Sequence, residues 1–342
     1  MKGIKFLGND QVEIKEFPDP EPGFGEVVVR MKASAICRSD LHMYHGTSVL
    51  DREMTVSVIP GHEACGVVEK IGDGISKDQI EIGDRVAIYL AVGCGLCEYC
   101  KKGWTILCPD WKCLGFDIDG GHAELIKIPV ENCLKMPDEM SFTAGALSTD
   151  KFGGLYHCHK TIGTSASQTI ALFGAGPMGQ MGIVCAKALG ATVIAVDVLD
   201  SRLKLAKKAG ADLIINSKGV DVLSEIKKIT AGKGADMAID CSGNPQAQND
   251  ALFCAKKEGK VAFIGESKAT TLNPSDQFLR KRLTAIGSWY FPLWEYGEIT
   301  RFIVQKGLQL ENYITHTFNL DEAKMAYEQF DKYETGIVVF TM

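Results

Sequence analysis

Residues 169–197 read TIALFGAGPMGQMGIVCAKALGATVIAVD, and no other stretch limits the fold as tightly. An apolar run over 170–173 enters the turn Gly174-Ala175-Gly176-Pro177-Met178-Gly179. An amphipathic segment follows and stops at Gly190, a helix-ending residue. A second apolar run, 193–196, then closes on Asp197. Strand, tight turn, helix and strand in that order form the opening unit of a parallel sheet. A G-x-G-x-x-G string alone marks many ordinary turns, but here the flanking elements that the motif requires are present on both sides. Gly174 permits the turn, Gly176 lets a pyrophosphate approach the backbone, and Gly179 lets the helix pack closely on the strand. Pro177 and Met178 complete the phosphate-facing turn. Asp197 lies 23 residues past Gly174, where a carboxylate accepts hydrogen bonds from an adenosine ribose and repels a 2′-phosphate. NAD is therefore expected over NADP, with Arg202 as the residue that would greet a phosphate instead. The plainer reading of Asp197 is a solvated strand-end aspartate.

Further runs continue the alternation at 211–216, 235–243, 260–266 and 283–289, with helical stretches at 201–209 and 220–230 between them. They predict a doubly wound parallel sheet of about six strands across residues ~150 to ~290. The first 150 residues differ. Short alternating strands such as EVVVRMKA, GVVEKIG and DRVAIYL, separated by Gly, Asp and Pro turns, predict an antiparallel, barrel-like domain. The stretch after 290 carries amphipathic helical pieces and a final strand, GIVVF. A chain of 342 residues also exceeds the about 250–300 at which single cores stop growing, so two domains are expected.

A net charge of −6 gives no electrostatic reason to bind nucleic acid or an anionic membrane. The opening MKGIKFLGNDQVEIKEF spaces its charges too closely for a secretory apolar region. Residues 161–186 carry no charge and are long enough to span a bilayer, but Gln168, Gln180, Pro177 and the glycines mark them as buried strand, turn and helix. A cytoplasmic protein is expected. In that setting 12 cysteines argue against a disulfide scaffold, and clustered ones are more often metal ligands or redox groups.

Such a cluster occurs in GCGLCEYCKKGWTILC, residues 93–108. Cys94, Cys97, Cys100 and Cys108 supply four thiolates from a single loop, and Gly93, Gly95 and Gly103 let the backbone turn around a tetrahedral zinc. An iron–sulfur cluster also takes four cysteines, but the ferredoxin runs use other spacings. A dithiol redox pair leaves two cysteines unexplained. Four protein ligands leave no open position, so this zinc is expected to be structural.

Hydride transfer to a nicotinamide needs a group that polarises an alcohol or carbonyl, which a second, open metal site supplies. Cys37 and the pair His62-Glu63 are candidates, although a 25-residue separation is no zinc spacing in itself. Singly, Cys37 reads as a buried small hydrophobe and His62 as a strand-end histidine. Taken together, CRSDLH (37–42), GHEACGVVEKIG (61–72), IGDRVA (82–87), the cysteine lobe and GAGPMG followed by Asp197 tell more. In that order they make the chain resemble the medium-chain zinc-dependent alcohol and polyol dehydrogenases.

That resemblance implies a GroES-like β-barrel catalytic domain over 1–149 and 291–342 and a Rossmann domain over 150–290. It implies two zincs per chain, one structural and one catalytic. Cys37 and His62 would ligate the catalytic ion, with Glu63 as a further ligand or close neighbour. Asp150, in LSTDKFGG, would be the remaining ligand where many members have cysteine or glutamate. Ser39 would take the substrate's proton and pass it, through the nicotinamide ribose, to His42. Asp40 would orient His62, and Arg38 would approach the cofactor pyrophosphate. A homotetramer or homodimer acting on a small alcohol or ketone follows, with no nucleic-acid or membrane partner.

The substrate expected first is a secondary alcohol of polyol, sugar or cyclitol type. A simple secondary alcohol or an amino-alcohol such as threonine comes next. A zinc-free quinone or enone reductase predicts loss of Cys37, His62 and the cysteine lobe, and all are present. A non-catalytic cofactor-binding protein predicts decay of the Ser39–His42 pair, which is intact. His157 and His159 are expected to face opposite ways near a helix start. Cys65, Cys113, Cys133, Cys158, Cys185, Cys241 and Cys254 lack ligand spacing and are expected to be apolar fillers. Trp289, Tyr290 and Trp294 are balanced between substrate pocket and core.

Overall fold

A computed structural model describes residues 1–47, 58–333 and 335–342. It divides into two compact units, Met1–Asp150 with Phe291–Met342, and Lys151–Tyr290. Asp150 therefore falls in the first unit, one residue beyond the boundary drawn from the sequence.

The second unit is built on a six-stranded parallel sheet. Its spatial order is Leu213–Asn216, Thr192–Asp197, Thr169–Phe173, Ala235–Asp240, Ala255–Phe263 and Thr284–Gly287. This is the doubly wound arrangement, and the strand order reverses beside Thr169–Phe173, where such sheets bind nucleotides. Strands of this kind are covered on both faces, and 193–197 are accordingly all buried. The uncharged stretch 161–186 resolves into strand Thr169–Phe173 and helix Pro177–Ala188. Among the described residues no helix is long and apolar enough to cross a membrane.

In the first unit, strand Glu26–Ala35 is paired on both edges, with Glu63–Ile71 and Leu125–Pro129 along it and Ile337–Thr341 at its end. Among the described residues seven strands form this sheet, antiparallel except where Ile314–Phe318 joins Ile337–Thr341 in parallel. The ladder Glu26–Ala35/Glu63–Ile71 is so close at Gly66 that a side-chain carbon there would lie 2.1 Å from the Arg30 carbonyl oxygen. Only glycine fits. The ladder ends on the pair Ala35↔Glu63, and that register decides what its two flanking turns bring together.

His157 and His159 lie in the last turns of helix Lys151–Ile162 and not near its start. His159 is fully buried, its Nδ1 2.9 Å from Thr164 Oγ1 and its Nε2 2.9 Å from the Gly182 carbonyl. Nε2 donates to that carbonyl, and in the neutral ring Nδ1 accepts from the Thr164 hydroxyl. Burial pushes the His159 pKa down to about 4. An unfolded histidine titrates near 6.5, so between those values the unfolded chain binds the extra proton. Stability from this group is then complete above about pH 6.5 and is lost as pH falls toward 4, by roughly 3 kcal/mol in all. Urea unfolding should show wild type losing about 2 kcal/mol more than His159→Gln between pH 7 and pH 5. Equal losses in the two proteins would remove His159 as the cause.

Candidate metal and cofactor sites

Strand Glu26–Ala35 runs out into the turn carrying Cys37, Arg38 and Ser39, which starts the short helix Asp40–His45. His62 immediately precedes strand Glu63–Ile71. The Ala35↔Glu63 pairing therefore brings Cys37 and His62 to one end of the ladder. Asp150 arrives from the turn after helix Phe142–Leu147, whose N-terminus is capped by Ser141 Oγ accepting from Ala144 N. Ser148, in the same turn, donates to the Gly145 carbonyl at 2.7 Å and accepts from Tyr296 Oη at 2.9 Å.

Ligand atoms of Cys37, His62, Glu63 and Asp150 all lie within 4.8 Å of one another. Cys37 Sγ is 3.7 Å and His62 Nε2 3.8 Å from Asp150 Oδ2. Zinc–sulfur and zinc–oxygen bonds of about 2.0–2.3 Å in a tetrahedron give ligand–ligand edges of about 3.3–3.8 Å. The donor set fits zinc on this ground and on its chemistry, a thiol, an imidazole and two carboxylates gathered in one place. Burial raises the Cys37 thiol, and His62 offsets only part of that rise.

Asp40 is fully buried beneath this group. Its Oδ1 lies 3.3 Å from His62 Nδ1, and its Oδ2 accepts from Cys37 N at 2.8 Å. Burial would raise its pKa, but His62 and His122 more than offset this and hold the carboxyl well below the usual range. His62 is correspondingly raised well above an ordinary imidazole, its own burial outweighed by Asp40 and Cys37. With Nδ1 turned to Asp40, His62 presents Nε2 to Asp150 and to Ser39 Oγ, 3.4 Å away. His42 is exposed three residues on, with Nδ1 3.1 Å from Thr47 Oγ1. Partial burial, then the nearby His45 and Arg38, lower its pKa. Arg38 stacks on the Tyr333 ring at 3.7 Å, a partner that no sequence spacing signals.

The four lobe sulfurs also lie within 4.8 Å of one another. Backbone N–H groups of Cys94, Cys97 and Cys100 each point at a sulfur of the set, at 3.4 Å. Backbone donors, those of Leu96 and Cys97 first, lower the Cys94 pKa to about 7. Desolvation and the neighbouring sulfurs push Cys100 up to about 12. A side-chain carbon on Gly93 would sit 2.6 Å from Cys100 Sγ, so the loop closes only around glycine there. Trp294 is 63% exposed and lies over the lobe. Its Nε1 donates to the Lys102 carbonyl at 3.2 Å, while Leu293 N donates to the Gly103 carbonyl at 2.8 Å. Trp294 thus braces the cysteine loop and is not a core residue. Tyr290 is buried and Trp289 is 44% exposed.

In the second unit Gly174 takes φ +89°, and a side-chain carbon on Gly179 would fall 1.9 Å from the Gly174 carbonyl oxygen. Gly176 caps helix Pro177–Ala188, with Pro177 at its start and Met178 partly exposed beside it. A side-chain carbon on Gly176 would meet no protein atom within 4 Å, so the space a pyrophosphate needs is open. Asp197 Oδ2 accepts from Ala175 N at 2.8 Å and Oδ1 from Leu199 N at 3.0 Å. Asp197 is therefore buried against the glycine turn and is no solvated strand end. Arg202 Nη1 lies 3.8 Å from Asp197 Oδ2.

Of the remaining cysteines, Cys65, Cys113, Cys158, Cys185 and Cys254 are buried, and Cys133 and Cys241 partly so. Burial raises all seven thiols.

Residues 23–138 match the family described as alcohol dehydrogenase GroES-like domain, and residues 177–305 match zinc-binding dehydrogenase. The chain is 34% identical to an L-threonine 3-dehydrogenase of Pyrococcus horikoshii, covering 96% of this chain and 95% of that one. It is 32% identical to a sorbitol dehydrogenase of Bacillus subtilis, covering 96% and 93%. Its fold is similar to that of an alcohol dehydrogenase from Thermus sp. ATN1, with a TM-score of 0.92, 27% identity and coverage of 100% and 99%.

Proposed function

Because this chain belongs to the zinc-dependent alcohol dehydrogenases, oxidoreductases acting on CH–OH groups, we propose that it interconverts a secondary alcohol and its ketone with NAD. The substrate is of polyol, sugar or cyclitol type. The observation that carries the reading is the gathering of Cys37, His62, Glu63 and Asp150, with Ser39 beside His62 Nε2.

Bound zinc supplies Lewis-acid polarisation of the substrate oxygen, and bound NAD supplies the hydride acceptor. Cys37, His62 and Asp150 would hold the catalytic ion, with Glu63 as a further donor or close neighbour. Cys94, Cys97, Cys100 and Cys108 hold a second, structural one. Asp40 keeps His62 in the tautomer that offers Nε2. Ser39 takes the proton released as hydroxyl becomes carbonyl, and His42 hands it to water, a task suited to an imidazole near neutral pH. Gly174, Gly176, Pro177, Met178 and Gly179 seat the pyrophosphate, aided by Arg38. A homotetramer or homodimer in the cytoplasm completes the reading.

Asp197 selects NAD. Its two backbone bonds hold the carboxylate where a 2′-phosphate would meet like charge. Asp197→Ala should weaken NAD roughly 10-fold or more, the loss of a hydrogen bond to a charged group. It should narrow the preference over NADP, with Arg202 left as the nearby cation. Titration of both cofactors by quenching of protein fluorescence measures this, and an unchanged ratio would reject the assignment.

The substrate is tested by NAD reduction on a panel of polyols, sugars, 2-butanol and L-threonine. Highest kcat/KM on a polyol or sugar supports the proposal. Highest kcat/KM on L-threonine favours the amino-alcohol, the competing reading given the threonine dehydrogenase relative.

A further inference from the structure

His122 lies outside every motif considered so far, in the run GGHAE. It is fully buried, edge-on to Phe340 at a ring separation of 5.0 Å and to Tyr327 at 6.2 Å. Its backbone N–H donates to the Pro60 carbonyl at 2.9 Å, and Gly121 N donates to that of Gly61 at 2.7 Å. These bonds tie the His122 segment to the turn that delivers His62. Gly61 holds φ +95°, and a side-chain carbon on it would fall 2.4 Å from His122 Nδ1. The turn and the imidazole are fitted to each other.

The other ring nitrogen faces Asp40. His122 Nε2 is 3.8 Å from Asp40 Oδ2, the oxygen that also accepts from Cys37 N. Asp40 Oδ1 faces His62 Nδ1. One buried carboxylate thus lies between two imidazoles that come from distant parts of the chain. Among Phe340 and Tyr327 a phenyl ring would fill the His122 position at lower cost, since burying polar nitrogens is unfavourable unless they interact. A carboxylate held at one oxygen can turn about its last torsion, whereas a polar imidazole edge facing each oxygen restrains its plane.

We infer that His122 is a positioning residue for the catalytic metal. Its Nε2 faces Asp40 Oδ2 at 3.8 Å, beyond direct hydrogen-bond length. This polar edge biases the carboxylate so that Asp40 Oδ1 meets His62 Nδ1 and His62 Nε2 points at Cys37 and Asp150. This inference rests on the proposed metal-holding role of Cys37, His62, Glu63 and Asp150. His122 touches no reacting atom and acts only through Asp40.

The test uses the full chain and takes the four-cysteine cage as an internal control. His122→Phe keeps the ring packing and removes the donor, and His122→Gln keeps a donor. If His122→Phe fails to fold, His122→Met supplies a second side chain without a donor. Metal affinity is read by competition with a chelator, and ligand geometry by the visible spectrum of the Co(II)-substituted protein. The donor-less variant should bind metal at the Cys37 site roughly 10- to 100-fold more weakly, as is usual when a group orienting a metal ligand is lost. Its Co(II) bands should shift, the cage should keep its ion, and His122→Gln should recover most of the affinity. Unchanged affinity and spectrum in the donor-less variant overturn the inference, as does equal weakening of both sites or failure of Gln to rescue. If Cys37→Ser holds as much metal as wild type, the underlying metal reading fails first and His122 falls with it.

Discussion

Cys37→Ser should lose one of two zincs per chain and nearly all turnover, while the cysteine lobe stays loaded. The substitution exchanges the thiolate for a hydroxyl that does not ionise near neutral pH, leaving His62, Glu63 and Asp150 to hold the ion. Lewis-acid polarisation is worth several kcal/mol, so kcat/KM should fall by about 10³-fold or more. The fold should survive, because the paired strands leading to Cys37 and from His62 are held by their own ladder. Zinc analysis of both proteins beside NAD reduction is the measurement. One zinc per chain in each, with equal activity, would point to a zinc-free reductase acting on an activated double bond.

The second large effect is opposite in kind. Cys100→Ser should empty the cage but leave the Cys37 site loaded. Zinc-finger peptides draw about 10–16 kcal/mol from zinc binding, and a lobe anchored in a large domain should lose less, roughly 3–10 kcal/mol of local stability. The loop at 93–108 should then become open to proteolysis. Trp294, whose indole bonds the Lys102 carbonyl on that loop, should report the loss by fluorescence. A lower melting temperature with the cage zinc lost and the Cys37-site zinc retained supports a structural cage. If Cys100→Ser keeps both zincs and its melting temperature, the four cysteines are not a metal site.

The two experiments separate features that stand very differently in the sequence. The nucleotide unit was legible because each of its signals is local. Apolar run, glycine turn, helix and closing aspartate follow one another within residues 169–197, and the structure forms a strand, a helix and a strand there. The cysteine lobe was legible for the same reason, since one short loop carries all four sulfurs. The Cys37 group was not legible from spacing. Residue identity left Cys37 as a plausible core cysteine and His62 as a strand-end histidine, and only a family resemblance gathered them. Trp294 was undecidable, because an exposed aromatic that braces a loop has the same local sequence as one buried in a core. His122 was missed altogether, since a lone histidine among apolar residues carries no directional signal.

The sequence by itself determined the fold class, the order of its parts and the chemistry available, because periodicity and short spacings act through neighbouring residues. Which side chains meet was decided only by tertiary structure. The antiparallel pairing of Ala35 with Glu63 sets Cys37 beside His62, and Asp150 comes to them across 113 residues of chain. A one-residue slip in that ladder would swap the two faces of the strand. Since neighbours such as Val27, Val28 and Val29 are all buried, both faces would have to repack, so burial along the whole strand holds the register. The site inherits its geometry from that burial, which no local pattern of residues records.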